Sequence, residues 1–254
     1  MIAQSTTRYD YRSPRLYVAV PLASGTVITL EKPQAHYLRN VLRLKGGDSI
    51  LVFNGQDGEW RATLSDADRR GRELSVQERT RVQTEPLDLH YLFAPLKHER
   101  LDYMVQKAVE LGVSRLVPVI TQHVQVTRVN LDRMRANVIE AAEQCGILHL
   151  AEVASPLTFA QMAANRDPER LLVFCDEDAD VKDPVIALAA HQASAILRLA
   201  VLVGPEGGFT EEERAAVLRL QNVVRLALGP RILRADTAAV AALTLVQAVL
   251  GDWR

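Results

Sequence analysis

Two short segments near the C-terminus hold the residues best suited to chemistry: Gly204-Pro205-Glu206-Gly207-Gly208, and Gly229-Pro230-Arg231-Ile232-Leu233-Arg234-Ala235-Asp236-Thr237. Glycine lets a ligand approach the backbone closely, and proline stiffens a turn while removing an amide donor. A planar, weakly charged ligand such as adenine suits that combination better than a triphosphate. Each segment also reads as an ordinary strand-to-helix turn, with Thr210 and Asp236 or Thr237 merely capping the helix that follows. Two such turns at successive strand ends, the second trailing into Arg-Ala-Asp-Thr, favour a binding site. The chain has no GxxxxGK[ST] loop and no GxGxxG after the first strand of its second half, which argues against a P-loop or dinucleotide fold.

The elements that must position these loops follow an α/β rhythm after Pro86. Apolar strands are expected at Leu89–Phe93, Arg115–Ile120, Leu171–Cys175, Leu199–Val203 and Val223–Leu228. Helices are expected near Glu99–Leu111, closed by Gly112, and at Leu131–Cys145, closed by Gly146. A further helix opens at the capping box Thr210-Glu211-Glu212-Glu213, and a last one runs from Thr237 to Leu250. The last is apolar nearly all round and so belongs in a core or a subunit interface. Strands alternating with helices imply a parallel sheet, whose ligands bind at the carboxyl ends of its strands, where both Gly-Pro loops lie.

The part before Pro86 has a different rhythm. Short strands at Leu16–Val20, Ser49–Phe53, Trp60–Leu64 and Glu73–Gln77 are separated by Gly46-Gly47-Asp48, Asn54-Gly55 and Asp57-Gly58, the turn chemistry of a small β-barrel. One helix is expected from Gln34 to Leu44, with Arg39 and Arg43 four apart on one face. The division into two domains is therefore placed at 1–85 and 86–254.

Bulk properties fit such a protein. Of 254 residues, 48% are hydrophobic and 24% charged, far from the signature of disorder. Residues 1–86 carry 13 Lys and Arg against 10 Asp and Glu, and the remainder 17 against 21, so a net charge of −1 conceals a basic first part and an acidic second. Cys145 and Cys175 form neither a CxxC pair nor a metal-ligand spacing and are expected as reduced core thiols. The scattered histidines suggest no metal. With no basic leader and no apolar run of about 18 residues, a soluble cytosolic protein is expected.

The sequence resembles bacterial SPOUT-class methyltransferases that modify N3 of a uridine in 16S ribosomal RNA. The most specific matches are Val203-Gly204-Pro205-Glu206-Gly207-Gly208-Phe209 and Leu228-Gly229-Pro230-Arg231-Ile232-Leu233-Arg234. Lys107-Ala108-Val109-Glu110-Leu111-Gly112, Ala141-Ala142-Glu143-Gln144-Cys145-Gly146 and His36-Tyr37-Leu38-Arg39-Asn40-Val41-Leu42-Arg43 support them. The chain departs from the family at Arg234-Ala235-Asp236-Thr237-Ala238, where Arg-Thr-Glu-Thr-Ala is common. It departs again at Ile147-Leu148-His149-Leu150, where many relatives carry basic or amide-bearing residues.

The resemblance implies an N-terminal PUA-like β-barrel and a C-terminal SPOUT α/β domain with a trefoil knot. It also implies S-adenosyl-L-methionine as cofactor, 16S rRNA or the small ribosomal subunit as partner, and a homodimer. On it, Leu202, Val203, Gly204, Pro205, Glu206, Gly207, Gly208, Leu228, Gly229, Ile232, Leu233, Arg234, Thr237 and Ala238 are expected to hold the cofactor, with Ile232 and Leu233 packed on its adenosine. Phe174 through Glu177 are weaker candidates for the same site. Arg234 and Asp236 are expected to face the reaction. Arg234 would stabilise negative charge on a uracil oxygen, and Asp236 would assist deprotonation, orient Arg234, or simply cap the last helix. Arg15, Arg39, Arg43, Lys97 and Arg100 are the expected RNA contacts, with His98 beside the last two.

Overall fold

A computed structural model describes residues 10, 12–65, 72–192 and 198–253. These fall into two compact units: the residues up to Glu85 together with Ala142–Leu150, and Pro86–Ala141 together with Ala151 onward.

The first unit is a five-stranded barrel-like sheet built from β1 (Arg15–Tyr17), β2 (Val27–Thr29), β3 (Ser49–Phe53), β4 (Glu59–Leu64) and β5 (Glu73–Arg81), in the order β1-β3-β4-β5-β2. Among the described residues of this unit only the β1–β3 pairing is parallel. Gly47, Gly55 and Gly58 take positive φ in the turns, as their hairpin positions require. Alternate residues Ile50 and Val52, Ala62 and Leu64, and Leu74 and Val76 point inward and bury against Leu16, Ile28 and Leu38.

The expected helix from Gln34 to Leu44 is broken into two pieces. Helix α1 (Lys32–His36) passes into a wider turn at Tyr37–Val41, in which Leu42 N–H donates to the carbonyl of Tyr37 five residues back. Arg43 then adopts a left-handed φ of 57° and ends the segment. Arg39 and Arg43 therefore do not share a regular helical face.

Residues 142–150 complete this unit. Ala142 and Leu148 form a small core with Phe53, flanked by Tyr17, Ile147 and Leu150. The Tyr17 amide donates to Glu143 Oε1 at 2.8 Å, and Arg81 Nη2 donates to the Gly146 carbonyl at 2.6 Å. The apolar departure at Ile147-Leu148-His149-Leu150 is thus a packing segment. Cys145, expected in a core, is exposed beside it.

The second unit holds β6 (Asp88–Phe93), β7 (Arg115–Ile120), β8 (Glu152–Val153), β9 (Leu157–Thr158), β10 (Leu171–Cys175), β11 (Arg198–Val203) and β12 (Val223–Leu226). Their order is β12-β10-β11-β6-β7-β8, with β9 also on β7, and every pairing is parallel. Between them run α2 (His98–Glu110), α3 (Leu131–Cys145), α4 (Phe159–Asn165), α5 (Pro184–Ala189), α6 (Glu211–Leu218) and α7 (Ala235–Val249). Short helices α4 and α5 were not expected from sequence periodicity. On one face, Leu92, Val117, Leu172, Phe174, Ala200 and Leu202 bury with Met162 of α4 and Val217 of α6. Helix α7 is as deeply buried as its composition predicts, including Ala242, Leu243 and Val246. No helix among the described residues is long and apolar enough to cross a membrane.

Candidate active site

The loops after β10, β11 and β12 emerge from adjacent strands at the same, carboxyl end of the parallel sheet. Leu202 and Val203 are buried at the end of β11, so only their backbone is available to a ligand. The loop that follows is held from several sides. Gly208 N–H donates to the Pro205 carbonyl at 2.9 Å with φ 71° at Gly208. Any Cβ on Gly204 would stand 2.6 Å from the Phe209 ring, and that ring packs edge-on against Phe174 with centroids 5.2 Å apart. Thr210 then starts α6 with the expected reciprocal cap: Glu213 N–H donates to Thr210 Oγ1, and Thr210 N–H to Glu213 Oε2.

His123, which sequence reasoning set aside, belongs to this loop's support. Its Nδ1 lies 3.1 Å from the Gly207 carbonyl and 3.2 Å from that of Gly208. Two acceptors at that distance assign the proton to Nδ1 and leave Nε2 as the acceptor in the neutral ring.

The second loop has a different character. Gly229 takes φ 91° with open space around its α-carbon, and Ile232 is fully exposed at 102%. Leu228 and Leu233 are half-buried, Arg234 and Thr237 are exposed, and Ala238 is buried. Arg234 occupies the N-cap position of α7, so Asp236 lies inside its first turn and is not the cap. There it accepts from the Thr237 amide at 2.9 Å and sits where a helix N-terminus favours negative charge.

Asp236 does not meet Arg234. Its two oxygens accept from Nε and Nη2 of Arg100 on α2, each at 3.0 Å, while Nη1 of the same guanidinium donates to Glu206 in the first Gly-Pro loop. Arg100 holds the Asp236 carboxyl below its ordinary range, and the helix-start amide of Thr237 adds to the effect. The two carboxylates in turn push the guanidinium further up. Arg100, expected as an RNA contact, is thus the centre of a carboxylate cluster joining both Gly-Pro segments. Nothing local in the sequence marks it, because its partners lie 106 and 136 residues away.

The loop after β10 is anchored separately. Asp176 is buried, and Arg214 Nε and Arg225 Nε donate to its two oxygens at 3.2 and 2.8 Å. Burial alone would raise its pKa, but the bonds from Arg214 and Arg225 outweigh it and the carboxyl titrates below its ordinary value. Burial pushes the neighbouring Cys175 thiol up to about 12, which makes it inert.

The remaining expected RNA contacts are scattered. Arg39 is half-buried, and Arg43 and Lys97 are exposed. Arg15 is 8% exposed, and its Nε donates to Glu59, itself 2% exposed, at 3.0 Å, so its guanidinium is held in a buried ion pair instead of at the surface. The side chain of His98 lies outside the described residues.

A family model described as an RNA methyltransferase domain matches residues 83–247, and one described as an RNA methyltransferase PUA domain matches residues 30–76. The chain belongs to the RNA methyltransferase family. Within that family it is 32% identical to the ribosomal RNA small subunit methyltransferase E of Synechocystis, over 93% of this chain and 78% of that protein. The protein of the same name from Rickettsia conorii is 29% identical over 92% of this chain and 94% of its own. A ribosomal RNA small subunit methyltransferase E from Neisseria gonorrhoeae, solved bound to S-adenosyl methionine, superposes with a TM-score of 0.84 at 27% identity. The match covers 95% of this chain and all of that one. The barrel is accordingly a PUA domain and the parallel-sheet unit a SPOUT-type methyltransferase domain of this family.

Proposed function

We propose that this chain transfers the methyl group of S-adenosyl-L-methionine to N3 of a uridine in the 16S ribosomal RNA of the small subunit. The observation that carries the reading is the single guanidinium of Arg100, which brings Glu206 of one Gly-Pro loop and Asp236 beyond the other into one cluster at the carboxyl end of the sheet. The residues fit the cofactor. Backbone groups of Leu202–Gly208 and Leu228–Leu233 would hold the adenosine, Ile232 has an uncovered apolar surface for it, and Thr237 and Ala238 begin the helix beneath. The cluster of one arginine and two carboxylates is net negative, which suits a cationic sulfonium and repels phosphate. The bound cofactor supplies the electrophilic methyl group.

The protein's own contribution is positional and electrostatic. Exposed Arg234, at the start of α7, would stabilise the anion that forms on the uracil once N3 gives its proton to solvent water. Asp236 is not suited to take that proton: both its oxygens are engaged by Arg100, and its pKa is lowered, making it a weak base. Arg39, Arg43 and Lys97 remain the proposed RNA contacts.

The knot, the homodimer and a cytoplasmic location belong to the same proposal. Supporting the knot, β12 lies at the sheet edge beyond β10, yet the chain then returns so that α7 packs on β11 and on α2, where Gln247 donates to the Leu111 carbonyl. Exposed Val185 and Ile186 supply apolar surface for a second copy. A ribosomal substrate implies the cytoplasm.

The test is to incubate the protein with small ribosomal subunits lacking the modification and with labelled S-adenosylmethionine, then digest the RNA to nucleosides. Labelled 3-methyluridine supports the reading. Label in another nucleoside, or none, overturns it.

A further inference from the structure

We infer that Arg100 is a positioning residue of the cofactor site, the brace that sets the spacing of the two Gly-Pro segments, and not a contact to RNA. The inference rests on S-adenosylmethionine being the cofactor. Three features of the geometry carry it.

The bond to Asp236 is bidentate, with both nitrogen–oxygen distances at 3.0 Å, and so fixes the carboxylate's orientation as well as its position. The third donor nitrogen, Nη1, is directed at Glu206. All three guanidinium nitrogens are therefore engaged by protein carboxylates, leaving none whose whole hydrogen-bonding capacity is free for a phosphate. Finally, α2 and α7 pack on each other and meet again at Gln247, but the described bonds that tie the loop after β11 to both of them pass through Arg100. Arg100 lies in the first turn of α2, Glu206 in the loop after β11, and Asp236 in the first turn of α7. Glu206 lies within backbone proposed to hold the cofactor and Asp236 three residues beyond it, so the guanidinium, which stands on α2, sets the width of the cradle.

A lysine could not do the same. Its ammonium is a point charge and lacks the planar fork that engages Asp236 with two nitrogens while presenting the third to Glu206. Removal of the arginine would leave two carboxylates facing each other across the site, with nothing to hold them together and their repulsion to drive them apart.

The experiment measures cofactor and RNA binding separately, on the full-length protein. S-adenosylmethionine affinity is read by calorimetry, and 16S rRNA affinity by filter binding across a salt series. The variants are R100A, R100K, D236A and the pair R100A/D236A. Arg100→Ala is expected to weaken cofactor binding at least tenfold and Arg100→Lys to recover only part of it. The double variant should lose little beyond either single one, because both remove the same bond. RNA affinity and its salt slope should be those of the wild type.

Where Arg100→Ala does not fold, Glu206→Gln keeps the bidentate arm and weakens the other, and is expected to lower cofactor affinity several-fold. Unchanged cofactor affinity in every folded variant overturns the inference. So does additive loss in the double variant, or an RNA salt slope reduced by about one, the mark of a lost phosphate contact. Failure of the wild type itself to bind S-adenosylmethionine would instead overturn the reading of the cofactor.

Discussion

Gln247 in the last turn of buried helix α7 lies against Gly112, the residue that ends α2, so closely that a Cβ on the glycine would stand 2.5 Å from the Gln247 side-chain nitrogen. The glutamine is fully buried; its Nε2 donates to the Leu111 carbonyl at 2.6 Å, and its Oε1 accepts from the Asp252 amide at 3.1 Å. Gly112 also takes φ 79°. One polar side chain thus satisfies the orphan carbonyl at one helix end and an amide beyond another. Gly112→Ala combines a strained backbone with this clash, and a loss of about 2–3 kcal/mol is expected. Gln247→Leu leaves the part-buried Leu111 carbonyl without this donor and should lose about 1–3 kcal/mol. Urea denaturation at neutral pH checks both, and midpoints within error of the wild type would refute the account.

Arg15→Ala separates a structural from an RNA-binding arginine. Glu59 is 2% exposed and relies on Arg15, Thr80 and Arg81 for partners. Removal of Arg15 leaves a buried carboxylate short of its closest cation, at a cost of about 3 kcal/mol. Thermal denaturation should show the loss. RNA affinity of the folded fraction should be unchanged, and a selective loss of affinity with full stability would restore Arg15 to the RNA surface.

Asp176 gives a pH signature. Its folded-state pKa is below that of the unfolded chain, because the bonds from Arg214 and Arg225 outweigh burial. The stabilisation is therefore fully present above the unfolded carboxyl value of about 3.9 and disappears as pH falls through the lower folded value. Asp176→Asn should unfold at a lower temperature than wild type at pH 7, by roughly 4–8 °C if the deficit is about 2 kcal/mol. The gap should narrow as pH falls from about 4 towards the lower folded value. A gap as large at about pH 2 as at pH 7 would show that the stabilisation is not electrostatic.

How much of this was legible in sequence depended on the range of the interaction. Apolar runs located β3, β7 and β10 to the residue, and helical spacing up to Gly146 located α3, because pleat and helix periods are local properties. The helix expected at Gln34–Leu44 failed because tertiary packing of Leu38 was compatible with a wide turn that the periodicity of its apolar residues does not distinguish from a regular helix. Helices α4 and α5, of seven and six residues, are too short to develop a stripe. The Gly-Pro loops were visible as ligand-binding candidates, yet the pairing of Arg100 with Asp236 was not, since only the fold brings positions so distant in sequence together. His123 was missed for the same reason. Its partners are backbone carbonyls, which leave no trace in residue type.

Arg39 and Arg43 stand in a segment that is no regular helix, so they are expected to act as two separate contacts and not as one patch. Arg39→Ala and Arg43→Ala should each lower the slope of log RNA affinity against log salt by less than about one, and the double variant by the sum. S-adenosylmethionine affinity should be unaffected, because both residues lie in the barrel and the proposed cofactor loops in the other unit. Arg43 carries a further consequence. At φ 57° it holds a conformation that glycine adopts without strain, so Arg43→Gly should fold with stability equal to or slightly above the wild type while losing the same RNA contact. Salt-series binding paired with denaturation of Arg43→Gly and Arg43→Ala checks this. Equal loss of affinity in both, with the glycine variant the more stable, is the expected pattern. Retained affinity in the glycine variant would remove Arg43 from the RNA-binding surface.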